Sequence, residues 1–146
     1  MTQKKALTAA QRRAIEHDAA QIVNRFYHCL DGGNYAELAA LFAPQGTWDR
    51  QGKLLKGPAM VMEAMRGRPA GMTTQHTNTN MVVNAIDATH ADVRHYLTVF
   101  AHTAANAGDH AKVELPLHLG IREEKLVKTR AGWRIASIIG HNRFSR

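Results

Sequence analysis

Two residues able to do chemistry, Tyr27 and Asp31, stand four apart in the stretch FYHCLDGGNYAELAALF. On a helix that spacing puts both on one face. A phenol and a carboxylate stacked there mean that the face meets either water or a hollow. A carboxylate beside an imidazole fixes its tautomer and stabilises its charged form, which suits proton transfer. A neighbouring phenol adds a donor for a developing oxyanion, although a rim tyrosine of an amphipathic core explains the same residue equally well.

His76 lies in QHTNTN, where His76, Asn78 and Asn80 share strand parity. Polar residues alternating on one strand face normally meet solvent; on a cone-shaped sheet the same pattern lines a wet cavity. His95 sits between Val93 and Leu97 at their parity, the usual setting of a core histidine. His118 has the parity opposite to Leu115, Leu117 and Leu119, which points it toward solvent or a subunit interface.

Other chemistries find no pattern. The nine histidines include no HExxH, and no C-x-x-C or 2-His-1-carboxylate spacing marks a metal site. The single cysteine, Cys29, forms no internal disulfide and reads as a small buried hydrophobe. GGNYAE lacks the preceding strand and the Lys-Ser/Thr of a phosphate loop, and G-x-S-x-G is absent. Cofactor-free acid–base chemistry is what remains for an enzyme.

The elements that must position these groups follow from period and punctuation. Thr8 with Gln11 forms a capping box. The stripe Ile15, Ala19, Ile22, Phe26 and Leu30 then predicts a helix stopped by Gly32-Gly33. Asn34 opens a second, short helix with Leu38, Leu41 and Phe42 inward, ended by Pro44. QGTWDRQGKLLKG reads as strand, turn and extended return, and Gly57-Pro58 starts a methionine-rich third helix. Beyond Gly71 the period changes to two. Four long strands are expected in MTTQHTNTNMVVNAID, THADVRHYLTVFAH, AKVELPLHLGIREEKLVKT and GWRIASIIGHNRF. Val113, Leu115, Leu117, Leu119 and Ile121 alternate strictly in the third. Helices first and antiparallel strands after predict an α+β fold with the helices on one face of a curved sheet.

The chain has 146 residues, the size of one domain, and no linker or repeat divides it. The formal charge of +7 is spread along the chain beside acids and is not interleaved with aromatics, so a nucleic-acid partner is not expected. No apolar run is long enough to span a membrane. MTQKKALTAAQRRAIE lacks the apolar core of a signal peptide. A cytoplasmic protein is expected.

The segments YHCLDGGNYAELAALFAPQGTWD, QHTNTNMVV and GIREEKLVKTRAGWRIAS, in that order between about Thr8 and Ile139, resemble the SnoaL-like branch of the nuclear-transport-factor-2-like (NTF2-like) superfamily. The resemblance implies one domain over 1–146, with an ordered core of about 8–144. It implies a conical α+β barrel, three N-terminal helices on a strongly curved, mostly antiparallel sheet around one pocket, commonly as a homodimer. In members similar to scytalone dehydratase and the bile-acid dehydratases, an acid ending the first helix partners a histidine on the first long strand, with a tyrosine nearby. Asp31, His76 and Tyr27 fall at those places. The resemblance also makes Trp48 and Asn80 pocket residues, with His95 and Arg122 as further candidates. GIREE departs from the family's usual segment: Arg122 there either meets an anionic group or pairs with Glu124.

The implied activity is that of a cofactor-independent lyase or isomerase, dehydratase- or polyketide-cyclase-like, acting on a hydrophobic oxygenated small molecule. Two alternatives stand beside it: a non-catalytic ligand-binding or dimerisation module, and the small subunit of a ring-hydroxylating dioxygenase.

Overall fold

The capping box forms. Thr8 Oγ1 accepts from the Gln11 backbone N–H at 3.1 Å, and Gln11 Oε1 accepts from the Thr8 N–H at 2.9 Å, so two orphan donors are satisfied at once. In the computed structural model, which describes residues 6–106, 108–112 and 115–145, helix α1 then runs Ala9–Gly32. It buries Ile15, Ala19, Val23, Phe26, Tyr27 and Leu30 on one side. Gly33 ends it at φ 73°, a left-handed conformation that costs glycine little.

Helix α2 (Tyr35–Ala40) follows Asn34, whose side chain makes no cap bond, contrary to the sequence expectation. Its end is followed at once by strand β1 (Phe42–Arg50), with Pro44 inside the strand rather than behind the helix. β1 turns into β2 (Lys53–Lys56) through Gln51 and Gly52, both at positive φ, the pattern of a tight hairpin loop. Asp49 Oδ1 accepts the Gly52 N–H at 3.1 Å and closes that loop. Helix α3 (Gly57–Arg66) carries Pro58 in its first turn. Strands β3 (Met72–Ala85), β4 (His90–Thr103), β5 (His118–Thr129) and β6 (Gly132–Ser145) complete the chain.

The sheet order is β2-β1-β6-β5-β4-β3. All neighbours are antiparallel except β1 and β6, which run parallel. The sheet is therefore mixed, and it is open, with β2 and β3 at its edges. Helix α1 lies across its inner face against β3, β4 and β6. Between them Phe26, Leu38, Leu55, Met65, Leu126 and Ile135 are buried. Phe26 meets Tyr27, Trp48 and Phe42 edge-on, with ring centroids 4.9, 5.1 and 5.9 Å away, an arrangement favoured by the ring quadrupoles.

Two expectations for the third long strand are corrected. It starts at His118, while Leu115 precedes it with 77% of its surface exposed; Val113 lies outside the described residues. The apolar parity also faces the other way. Leu119 and Ile121 share the outer face with Tyr96, whereas Gly120, Arg122, Glu124 and Leu126 point inward. His118 is thus turned to the interior and not to solvent. Alternation marks that a strand has two faces; which face is inside depends on what the helices cover.

Candidate active site

The inner face of β3 to β6, the end of α1 and the β1–β2 hairpin enclose a cavity of about 260 Å³. Tyr27, Trp48, His76 and Arg122 line it, and Leu97, Val99 and Leu117 supply apolar wall. Asp31 stands directly behind His76. Its Oδ1 lies 2.6 Å from His76 Nδ1, and its Oδ2 accepts the His76 backbone N–H at 2.8 Å. The Thr74 hydroxyl donates to Oδ1 at 2.8 Å. Arg68 Nη2 donates to Thr74 Oγ1 at 2.9 Å, and Arg68 Nη1 to the Leu30 carbonyl at 2.8 Å. The guanidinium thereby satisfies a carbonyl at the C-terminal end of α1, where a cation is favoured.

Burial pulls the Asp31 carboxyl upward. The hydrogen bonds from the His76 ring and backbone, the attraction of His76 and the Thr74 bond together outweigh it, and the carboxyl is held below its ordinary range. Asp31 is therefore an acceptor-only carboxylate near neutral pH. The ring nitrogen facing it carries the proton, which leaves Nε2 as the nitrogen available to a ligand.

A second constellation lies deeper. His95 is completely and Glu124 almost completely withdrawn from solvent, with His95 Nε2 at 2.9 Å from Glu124 Oε1. The Tyr27 hydroxyl donates to the same oxygen at 3.3 Å. His95 Nδ1 faces the Tyr96 carbonyl at 3.2 Å. One proton must sit between His95 Nε2 and Glu124, since neither a bare nitrogen nor a bare carboxylate could bond the other. Glu124 Oε2 is buried without a partner. Burial first, then the Glu124 charge, raises Tyr27 well above the ordinary phenol value, so it remains a protonated donor. Its ring lies between the two histidines, 5.4 Å from His76 and 5.5 Å from His95.

Of the residues named from sequence, Tyr27, Asp31, His76, Trp48 and Arg122 converge on the cavity. Asn80 does not. It occupies a bulge between Thr79 and Val82, at φ 51° and exposed, and the bulge breaks the parity it would need to follow His76 inward. His95 lies behind the cavity wall with Glu124. Arg122 does not pair with Glu124; it bonds His118, Asn142 and the Ile121 carbonyl. Thr74, Arg68, His118, Asn142 and the His95–Glu124 pair escaped the sequence reading. The one available signal was Glu124, a carboxylate two residues from Leu126 on a strand face that had to be either wet or paired. Among the described residues, no group of three or more His, Cys, Asp or Glu side chains is placed to hold a metal ion, and no helix is long and apolar enough to cross a membrane.

A curved open sheet wrapped on N-terminal helices around one cavity is the α+β architecture of the NTF2-like, cystatin-fold proteins. The chain belongs to the SnoaL-like domain family, whose model matches residues 11–139. Solved structures share the fold. A candidate scytalone dehydratase of Novosphingobium aromaticivorans superposes with a TM-score of 0.81 at 16% identity, over 95% of this chain and 91% of that one. The hexachlorocyclohexane dehydrochlorinase LinA-type3 of Novosphingobium barchaimii gives 0.78 at 13% identity, over 95% and 93%. A Catenulispora acidiphila protein in complex with S-DNPA gives 0.70 at 19% identity, over 90% and 95%. No curated protein sequence matches the chain.

Two predictions test this geometry. The folded-state pKa of Asp31 lies below its unfolded value, so its contribution to stability is complete above the ordinary carboxylate pKa of about 4 and is lost as pH falls through the folded value. Urea unfolding should show wild type more stable than Asp31→Asn at pH 7, with the gap narrowing toward pH 3. For the deeper pair, His95→Leu leaves Glu124 buried without its main partner and should cost ~3–5 kcal/mol. The double variant His95→Leu/Glu124→Met should cost less than that single change, as measured by the same denaturation; a larger, additive loss would contradict the pairing.

Proposed function

We propose that this protein is a cofactor-independent lyase or isomerase that moves a proton on a hydrophobic, oxygenated small molecule held in the cavity. The observation that carries the reading is the 2.6 Å contact between Asp31 and His76 at the cavity wall. His76, oriented through Nδ1, takes a proton alpha to a carbonyl with Nε2. Asp31 stabilises the imidazolium that forms, so the base need not be strong in the resting state. Tyr27 remains a phenol, and its bond to Glu124 at 3.3 Å is long for a hydroxyl donor. Its proton can therefore turn to the enolate oxygen as charge develops there. Return of the proton to another carbon completes an isomerisation; loss of a β-hydroxyl as water, with the proton from His76, completes a dehydration. That two structural neighbours are named for a dehydratase and a dehydrochlorinase supports an elimination.

The test is solvent deuterium incorporation into enolisable ketones and β-hydroxy ketones, followed by proton NMR, together with product formation. Wild type should exchange or eliminate, and His76→Ala should be slower by about 10²–10⁴-fold, the usual contribution of a general base. Exchange that persists at the wild-type rate in His76→Ala would remove the proposed role. Ligand binding with no exchange by wild type on any such compound would instead favour the non-catalytic binding module.

We also propose a homodimer through the outer sheet face. Tyr96, Phe100, Leu119, Ile139 and Phe144 are exposed there, Tyr96 opposite Ile121 and Leu119 opposite Phe144 in the strand register. A clustered apolar surface of this kind marks an association site. Light scattering should give a dimer for wild type and a monomer for Tyr96→Arg/Ile139→Arg; a monomeric wild type would refute the interface.

A further inference from the structure

The cavity holds charge that proton transfer does not use. Arg50, Arg68 and Arg122 all line it, against the lining carboxylate Asp49, whose Oδ1 is occupied by the Gly52 N–H, and Asp31 behind the wall, which is taken up by His76 and Thr74. Among the described residues, none of the three guanidiniums has a carboxylate within ion-pair distance. Arg68 is committed to Leu30 and Thr74. Arg122 keeps two of its donors free, and Arg50 keeps all of its own. The Arg50 side chain lies over the Trp48 ring at 5.7 Å and makes no hydrogen bond among the described residues. Burial, followed by repulsion from Arg68, lowers its pKa, the sign of a cation that lacks a counter-charge.

Arg122 sits in a built cradle. Its guanidinium crosses Gly140, where an added Cβ would stand 2.7 Å from Cζ, and an added Cβ at Gly120 would stand 3.1 Å from Nη1. The bare backbone of Gly140 leaves room for the head group there, whereas at Gly120 the tighter limit is the His141 carbonyl. Three of its five N–H donors are held, by the Ile121 carbonyl, His118 Nε2 and Asn142 Oδ1, at 3.0, 3.3 and 3.2 Å. Accepting that bond fixes His118 as a neutral ring, consistent with the downward push on its pKa from burial, Arg122 and His76. The head group is thus aimed and immobilised, with two donors left. Both N–H groups of Nη2 are taken, so the free donors, Nε–H and one on Nη1, lie on different edges, and an immobilised, pre-aimed guanidinium of this kind offers an anion single charge-assisted hydrogen bonds.

We propose that the cavity is specific for a compound bearing a carboxylate, seated against Arg122, with Arg50 as a second cation lining the same cavity. The inference rests on the reading of this cavity as the substrate site and adds the substrate's charge class to it. The apolar wall of Leu97, Val99 and Leu117 takes the hydrocarbon body, and the anion anchors it so that the acidic carbon faces His76. Anchoring through a group remote from the reacting carbon is how binding energy fixes orientation for a proton transfer.

Calorimetry with acid and amide pairs of equal shape tests this directly: benzoate and benzamide, cinnamate and cinnamamide, 2-naphthoate and 2-naphthamide. Wild type should prefer the acid by about tenfold or more in at least one pair, the usual gain of a charge-assisted hydrogen bond. Arg122→Met should abolish the preference while leaving amide affinity in place. Gly140→Ala, which keeps the arginine but displaces its head, should reduce it. Arg50→Met should weaken the acid further. His76→Ala should retain the full preference, so turnover that persists at the wild-type rate in that variant, with the preference intact, would sink the acid–base reading and leave the anion site standing. Equal affinity for acid and amide in every pair, or a preference that survives Arg122→Met/Arg50→Met, would overturn the proposal.

Discussion

The joint between the end of α1 and the start of β3 is the constraint on which the site depends. Asp31 accepts three bonds from one short segment, two from His76 and one from Thr74. A carboxylate that accepts several donors is held ionised despite partial burial, because each bond is stronger to the charged form. The same bonds lock the helix end to the strand. Arg68 extends the lock by tying Thr74 to the last-turn carbonyl of Leu30. A single aspartate therefore both fastens the fold and sets the histidine's tautomer, and its acceptor capacity is spent on doing both.

The interior of the sheet is unusual for its polarity. β4 and β5 turn His95, Arg122 and Glu124 toward the helices, where a simple α+β core would carry aliphatic residues. Each is made tolerable in a different way. Glu124 shares a proton with His95 and accepts from Tyr27. Arg122 is held by three acceptors over a glycine floor. A buried polar network of this kind contributes little net stability but specifies one arrangement of side chains, and arrangement is what a reactive cavity requires. Hydrocarbon displaced from the inner face of β5 reappears on the outside, as Leu119 and Ile121 beside Tyr96 and Phe144.

The local sequence by itself determined the elements with strong punctuation. Thr8 with Gln11, the Gly32-Gly33 stop, the Gln51-Gly52 turn and the Gly57-Pro58 start all act within a few residues of chain, so their physics needs no knowledge of the rest. The resemblance carried the pairing of Asp31 with His76, which are 45 positions apart. Tertiary structure decided what neither could: which face of each strand is inside. Alternation in β5 is the same whether Leu119 or Arg122 faces the helices, and only the placement of α1 across the sheet chose Arg122. The bulge at Asn80 took that residue out of the cavity by shifting parity by one. His95 and Glu124 became partners because adjacent strands brought them together, 29 residues apart in the chain. Contacts of that separation are set by sheet register, which is fixed only when all the strands are in place.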